Sequence, residues 1–237
     1  MNLRAPVEEL SSPHEPTVFV VDPDLAIHAS LEPLVRREGW RPALFTSAEE
    51  FLAQPRFTQP SCLVSDVRLP GLSGLELQAR LADRPEVPLI FLTSDFDISI
   101  TVRAMRAGAV EFLTKPFSKD AMLNAIRCAM ERSNTAVREE SELRTLRERY
   151  GWLSRREREV MALVVAGLLN KQVAWRLGIA EVTVKAHRGQ VMRKMGAGSL
   201  ARLVSIAAKL KINALVEWDR PRAFRPAAAA DHAIACT

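Results

Sequence analysis

Four polar residues of this 237-residue chain each follow a short apolar run: Asp22 after "VFVV", Asp66 after "CLVS", Thr93 after "LIFL" and Lys115 after "FLT". Runs of this length, rich in Val, Leu and Ile, read as strands buried on both faces. In a parallel sheet, groups at the carboxyl ends of the strands gather on one edge. Two carboxylates, a hydroxyl and an ammonium gathered there suit phosphoryl chemistry. Carboxylate oxygens hold a hard dication such as Mg²⁺, which keeps open positions for phosphate oxygens. A carboxylate can also attack a phosphoryl group to give an aspartyl phosphate, with the ammonium and hydroxyl bonding the phosphoryl oxygens. Any one of these residues could be bland, Asp22 and Asp24 as helix caps and Lys115 as a surface lysine. Four of them at four strand ends argue for a site.

The elements that must position them alternate. Strand patterns cover 17–21, 43–46, 62–65, 89–93 and 110–113, and helical patterns cover 25–38, 48–54, 74–82, 98–107 and 119–132. Ser47 with Glu50 and Ser73 with Glu76 form capping boxes. Gly108 is placed to stop the fourth helix and Ser118 to cap the fifth. Five βα units with right-handed crossovers predict an α/β, doubly wound, parallel five-stranded sheet. Residues 133–150 are charged with sparse apolar positions and read as a solvated helical linker. From 151 the patterning is all helical, and the tail, with "FRPAAAADHAIACT", reads as disordered.

Charge divides along the same line. Residues 1–131 carry 13 Lys/Arg against 18 Asp/Glu, and residues 132–237 carry 20 against 10. A basic second module suits a polyanionic partner. Cys62, Cys128 and Cys236 have no CxxC or Cys/His spacing, which disfavours a disulfide framework or a zinc site. Cys62 and Cys128 lie on apolar faces and are expected as buried thiols. No apolar run approaches the roughly 18 residues of a membrane span, and "MNLRAPVEEL" has no signal-peptide core. A soluble cytoplasmic protein is expected. No Gly-rich phosphate loop follows a strand, which weighs against a flavodoxin-like enzyme.

In the second module "LSRREREVMALVVAG" has a capping box at Ser154 and Glu157, and "NKQVAWRLG" reads as a short helix capped by Asn170 and closed by Gly178. "EVTVKAHRGQVMRKM" follows, and "SLARLVSIAAKL" is capped by Ser199. Short helix, turn and longer helix form a helix-turn-helix pattern, whose second helix can enter the major groove. Between 170 and 211 nine Lys/Arg face one acid, Glu181. Val184, Val191 and Met195 form an inward stripe, which leaves Lys185 and Arg188 to face DNA. The helix-start N–H groups suit phosphates. Trp152 and Trp175 are expected as core rings.

Residues 17–131, through "VFVVDPD", "CLVSDVRLPGLSGLEL", "PLIFLTS" and "AMRAGAVEFLTKPF", resemble a two-component response-regulator receiver domain with a flavodoxin-like fold. Residues 150–212 resemble the NarL/LuxR-type DNA-binding domain, and the pair resembles a FixJ-type response regulator. The plan is then an N-terminal extension (1–16), a receiver (17–131), a helical linker (132–149), a helix-turn-helix domain (150–212) and a tail (213–237). The resemblance implies that Asp66 is the phosphoacceptor, that Thr93 and Lys115 assist it, and that Phe112 is the aromatic switch. It implies an Mg²⁺ site of Asp22, Asp66 and the Arg68 carbonyl, and a cis peptide before Pro116. It makes Lys185, Ala186 and Gly189 base-facing, and Lys171, Thr183, His187, Arg188 and Arg193 backbone contacts. The implied partners are a sensor histidine kinase, promoter DNA, RNA polymerase and, on phosphorylation, a second copy of the chain. The implied function is a phosphorylation-controlled transcriptional activator, not an enzyme. One departure stands out: the family usually has two adjacent acids after the first strand, and here Pro23 replaces the second. Either Mg²⁺ still binds through Asp22, Asp66 and water, with weakened affinity, or the receiver has become partly phosphorylation-independent.

Overall fold

A computed structural model describes residues 15–95 and 97–212. The chain divides between Ser141 and Glu142 into two compact units. Of the extension read over 1–16 only Glu15 and Pro16 are described, and the tail over 213–237, with Cys236, lies outside the described residues.

In the first unit strands β1 (Thr17–Val21), β2 (Arg41–Phe45), β3 (Ser61–Asp66), β4 (Leu89–Thr93) and β5 (Glu111–Thr114) alternate with helices α1 (Leu25–Arg37), α2 (Ala48–Leu52), α3 (Gly74–Arg80) and α4 (Ile98–Arg106). All pairs are parallel, as the alternating pattern predicts, and the order is β2-β1-β3-β4-β5. The central strands β1, β3 and β4 are buried along their whole length, and the edge strands β2 and β5 are not. Side chains alternate between faces along a strand, so β1 feeds two cores. Phe19 and Val21 join Phe51, Leu63, Leu77 and Phe91 on one face. Val18 and Val20 join Leu31, Val35, Val64, Ile90, Met122 and Ile126 on the other. Each large side chain fully buried this way contributes roughly 1.5–3 kcal/mol.

Helix α5 runs from Lys119 to Gly151, 33 residues without a break, straight through the segment read as a linker. Ser133 fixes it to the sheet: its buried hydroxyl accepts from Ser61 N–H and donates to the Glu86 carbonyl. Cys128 is exposed, contrary to its expected burial, because the inward stripe of α5 is Met122, Ala125, Ile126, Ala129 and Met130. Cys62 is buried, and burial drives its thiol pKa far above the ordinary value.

The second unit holds the last turns of α5 with α6 (Arg155–Val165), α7 (Asn170–Leu177), α8 (Glu181–Met195) and α9 (Leu200–Lys209). Its core includes Leu146, Val160, Met161, Val164, Val173, Val184, Val191, Met195, Leu203 and Ile206. Gly178 and Gly196 close α7 and α8 in the left-handed conformation, at φ 64° and 62°, which glycine adopts without a Cβ penalty. The Ser154/Glu157 capping box forms, and Glu157 Oε2 also accepts from Lys194 Nζ of α8 at 2.7 Å.

Three readings, of a cap and two rings, change in this unit. Asn170 does not cap α7; the cap residue is Leu169, whose N–H donates to Gln172 Oε1 at 2.8 Å. Trp175 is 86% exposed, because α7 turns Val173 and Ala174 inward and the next residue outward. Trp152, at 66%, sits in the turn before α6, where Leu153 takes the core position instead.

Candidate functional site

Asp22 directly follows β1, Asp66 ends β3 beside it, and Lys115 follows β5. Lys115 Nζ donates to Asp22 Oδ2 at 2.6 Å and to Asp66 Oδ2 at 2.7 Å. The remaining oxygens bind backbone: Asp22 Oδ1 accepts from Asp24 N–H at 2.9 Å, and Asp66 Oδ1 from Arg68 N–H at 2.8 Å. Both carboxylates are buried. Desolvation works to lower the Lys115 pKa, but the hydrogen bonds and charges of Asp22 and Asp66 outweigh it and leave the ammonium above its ordinary value.

The neighbouring elements seat these groups closely. Ser73 and Glu76 cap α3 reciprocally, and Gly74 lies so near the end of β3 that a Cβ there would stand 2.5 Å from the Asp66 carbonyl oxygen. Lys115 N–H donates to the Thr93 carbonyl at 2.7 Å, and the Lys115–Pro116 peptide is cis. Thr93 is buried at the β4 tip, and its hydroxyl engages the Asp95 backbone, donating to the carbonyl at 3.1 Å and accepting from N–H at 3.2 Å. Phe112 is half-buried with its ring 6.0 Å from that of Phe91. Arg68 extends its guanidinium to Asp95 at 2.5 Å.

Thus Asp22, Asp66 and Lys115 meet directly, while the Thr93 hydroxyl faces its own loop. Pro23, between Asp22 and Asp24, is exposed. Asp24 caps α1, its Oδ1 accepting from Ala26 N–H at 2.9 Å. Among the described residues no group of three or more His, Cys, Asp or Glu is arranged to hold a metal. Two hard carboxylates nevertheless suit Mg²⁺, which keeps several waters and needs only one or two carboxylates.

On α8 the stripe Val184, Val191 and Met195 is buried. Lys185, Gly189 and Arg193, each four residues apart, share an exposed face with Val182 and Ala186. Lys185 pairs with Glu181 at 3.2 Å. Arg188, expected to be outward, is half-buried and donates to Asn170 Oδ1 of α7 at 3.1 Å. Thr183 and His187 are half-buried, and Lys171 is exposed on α7. Sequence reasoning missed Val182, an apolar side chain 72% exposed on this basic face; its position one turn before Lys185 and Ala186 was the available signal. Among the described residues no helix is long and apolar enough to cross a membrane.

Comparison with known proteins gives the same division. Residues 18–127 match the response regulator receiver domain, and residues 152–207 match the bacterial regulatory proteins of the luxR family. Nodulation protein W of Bradyrhizobium diazoefficiens is 47% identical over 198 residues, 83% of this chain and 87% of that protein. Transcriptional regulatory protein FixJ of Rhizobium meliloti is 40% identical over 192 residues, 81% and 94% of the two chains. The solved structure of the response regulator StyR superposes with a TM-score of 0.70 at 45% identity, covering 82% of this chain and 99% of that one. The chain belongs to the two-component response regulators, non-enzymatic transcription factors that join a receiver domain to a LuxR-type DNA-binding domain.

Proposed function

We propose that phosphorylation of Asp66 controls DNA binding by this regulator and that the phosphorylated form activates transcription. The observation that carries the reading is the single ammonium of Lys115 between Asp22 and Asp66. A carboxylate oxygen of Asp66 attacks the phosphorus of the donor, a phosphohistidine of a sensor kinase, and the P–N bond breaks with the electron pair leaving on imidazole. Asp22, Asp66 and the Arg68 carbonyl would hold Mg²⁺, which would supply charge neutralisation. Lys115 is placed to follow the new phosphoryl oxygens, which add about two negative charges at neutral pH. Thr93 must release the Asp95 backbone to join them, and Phe112 follows by repacking against the face around Phe91 and α4. That face then pairs with a second receiver or frees the basic domain.

DNA recognition falls to α8. Lys185 and Ala186 face base edges with Val182, whose methyl groups suit the thymine methyl. Gly189 leaves one base contact absent. Lys171, Thr183, His187 and Arg193 bind the phosphate backbone and set register, and Arg188 acts through Asn170 to hold α7 against α8. Two copies would reach half-sites about 34 Å apart and recruit RNA polymerase in the cytoplasm. The functional plan remains an extension, a receiver over 17–131, a linker over 132–149, a DNA-binding domain over 150–212 and a tail.

The test is intact-mass analysis after incubation with acetyl phosphate, with and without Mg²⁺, beside Asp66→Asn. A gain of about 80 Da, the mass of one phosphoryl group, that requires Asp66 and Mg²⁺ supports the reading. No gain, with DNA binding intact, favours the second one, a phosphorylation-independent regulator, which the missing acid at Pro23 supports.

A further inference from the structure

The charge at the strand tips is already partly offset within the chain. Asp22 and Asp66 carry two negative charges, Lys115 returns one positive charge, and all four carboxylate oxygens have donors. The donor from Asp24 matters most. Its N–H reaches back to Asp22 Oδ1, so the chain turns over the Asp22 carboxylate and holds residue 23 within a side chain's length of the cluster. A carboxylate at 23 would add a third negative charge there. Proline adds none, and its ring restricts the preceding residue to the extended region.

Asp24 does not compensate. Its carboxylate is committed to Ala26 N–H at the start of α1, an N-cap interaction that contributes about 0.5–2 kcal/mol. Turning it inward would forfeit the cap. An incoming dication therefore finds two carboxylates rather than three, and it competes with Lys115 for the Oδ2 atoms of both.

We propose that Pro23 sets the divalent-cation affinity of this receiver: it withholds the third carboxylate, so that Lys115 is the standing counter-ion of the Asp22/Asp66 pair and Mg²⁺ binds weakly. This rests on the reading of Asp22 and Asp66 as the metal-binding pair of the phosphorylation site. It implies a receiver that is charged efficiently only at high Mg²⁺.

The experiment titrates MgCl₂ into the full-length protein without a phosphodonor, by calorimetry and by Mg²⁺-dependent thermal melting. It compares wild type, Pro23→Asp, Pro23→Ala and Asp24→Asn. Pro23→Asp is expected to tighten binding about tenfold to a hundredfold, the range over which single changes around a metal alter affinity. Pro23→Ala and Asp24→Asn are expected to stay within about twofold of wild type, since neither alters the charge count at the metal. A Pro23→Asp protein no tighter than wild type overturns the proposal, and so does an absence of Mg²⁺ binding in both. A tenfold loss in Asp24→Asn also overturns it, by making Asp24 a ligand. Acetyl phosphate labelling of the same proteins separates the two readings: if Pro23→Asp gains Mg²⁺ affinity while no variant gains a phosphoryl group, the metal proposal stands and phosphorylation control falls.

Discussion

Lys115 Nζ lies 2.7 Å from Asp66 Oδ2 across 49 residues of sequence, and the same nitrogen lies 2.6 Å from Asp22 Oδ2. The sheet order makes this possible, because β1 and β3 are adjacent and β5 is one strand beyond β4. One ammonium thus holds together two acids that would otherwise repel each other in a buried place.

Lys115→Met should destabilise the receiver by about 1–3 kcal/mol, less than the full cost of orphaning a buried charge because water can reach the site. Urea unfolding of the full chain measures it. Asp66→Asn, which removes a charge from the same cluster, should recover part of the loss when added to Lys115→Met, so that the two changes are non-additive.

Gly74→Ala places a Cβ 2.5 Å from the Asp66 carbonyl oxygen and 3.0 Å from both Val67 Cα and the ring of the fully buried Phe91, where no flexible side-chain end can give way. Overpacking of this kind costs about 1–3 kcal/mol. Because the displaced atoms carry Asp66, labelling by acetyl phosphate should slow as well, and both effects are read on one protein.

The C-terminal unit should lose stability in acid through Glu157. Its hydrogen bond to Lys194, together with the Ser154 backbone and hydroxyl, holds its pKa below the ordinary value against the opposing effect of burial. A carboxylate depressed in the folded state contributes fully above its unfolded pKa and loses that contribution as pH falls through the folded one. Thermal melting against pH should therefore decline below the ordinary carboxylate range, and Lys194→Met should flatten the decline.

Trp175→Ala should change unfolding stability by no more than about 0.5 kcal/mol, as expected of an exposed position. Leu203→Ala, in the core of the same unit, should cost about 2–5 kcal/mol. Chemical denaturation of both variants decides whether the ring lies outside, as its 86% exposure states.

On duplex DNA, Arg193→Ala should weaken binding to all sequences alike and lower the salt slope by about one. Lys185→Ala should cost about 1–3 kcal/mol on the preferred site and relax preference at one base pair. Fluorescence anisotropy at several salt concentrations separates the two behaviours.

The sequence by itself determined the fold and the order of its elements. Short apolar runs between capped helical patterns admit few arrangements other than a doubly wound parallel sheet, and the stripe Val184, Val191 and Met195 turns the basic face of α8 outward. Strand ends were legible to within a residue or two: β5 begins at Glu111 and not at 110, because an edge strand has no second neighbour to fix its register.

Only the tertiary structure decided which polar groups meet. Periodicity assigns a residue to a face, but a hydrogen bond is a contest among donors within about 3 Å, and its winner can be a near neighbour in the chain or a residue of another helix. Asp24 went to its own helix start and Arg188 to Asn170, while the Thr93 hydroxyl went to the Asp95 backbone. Trp152 lies in a turn whose core position Leu153 takes. Trp175 and Cys128 differ from expectation for a related reason: an apolar or aromatic type states what burial would gain, whereas one step of 100° around a helix decides whether burial is available.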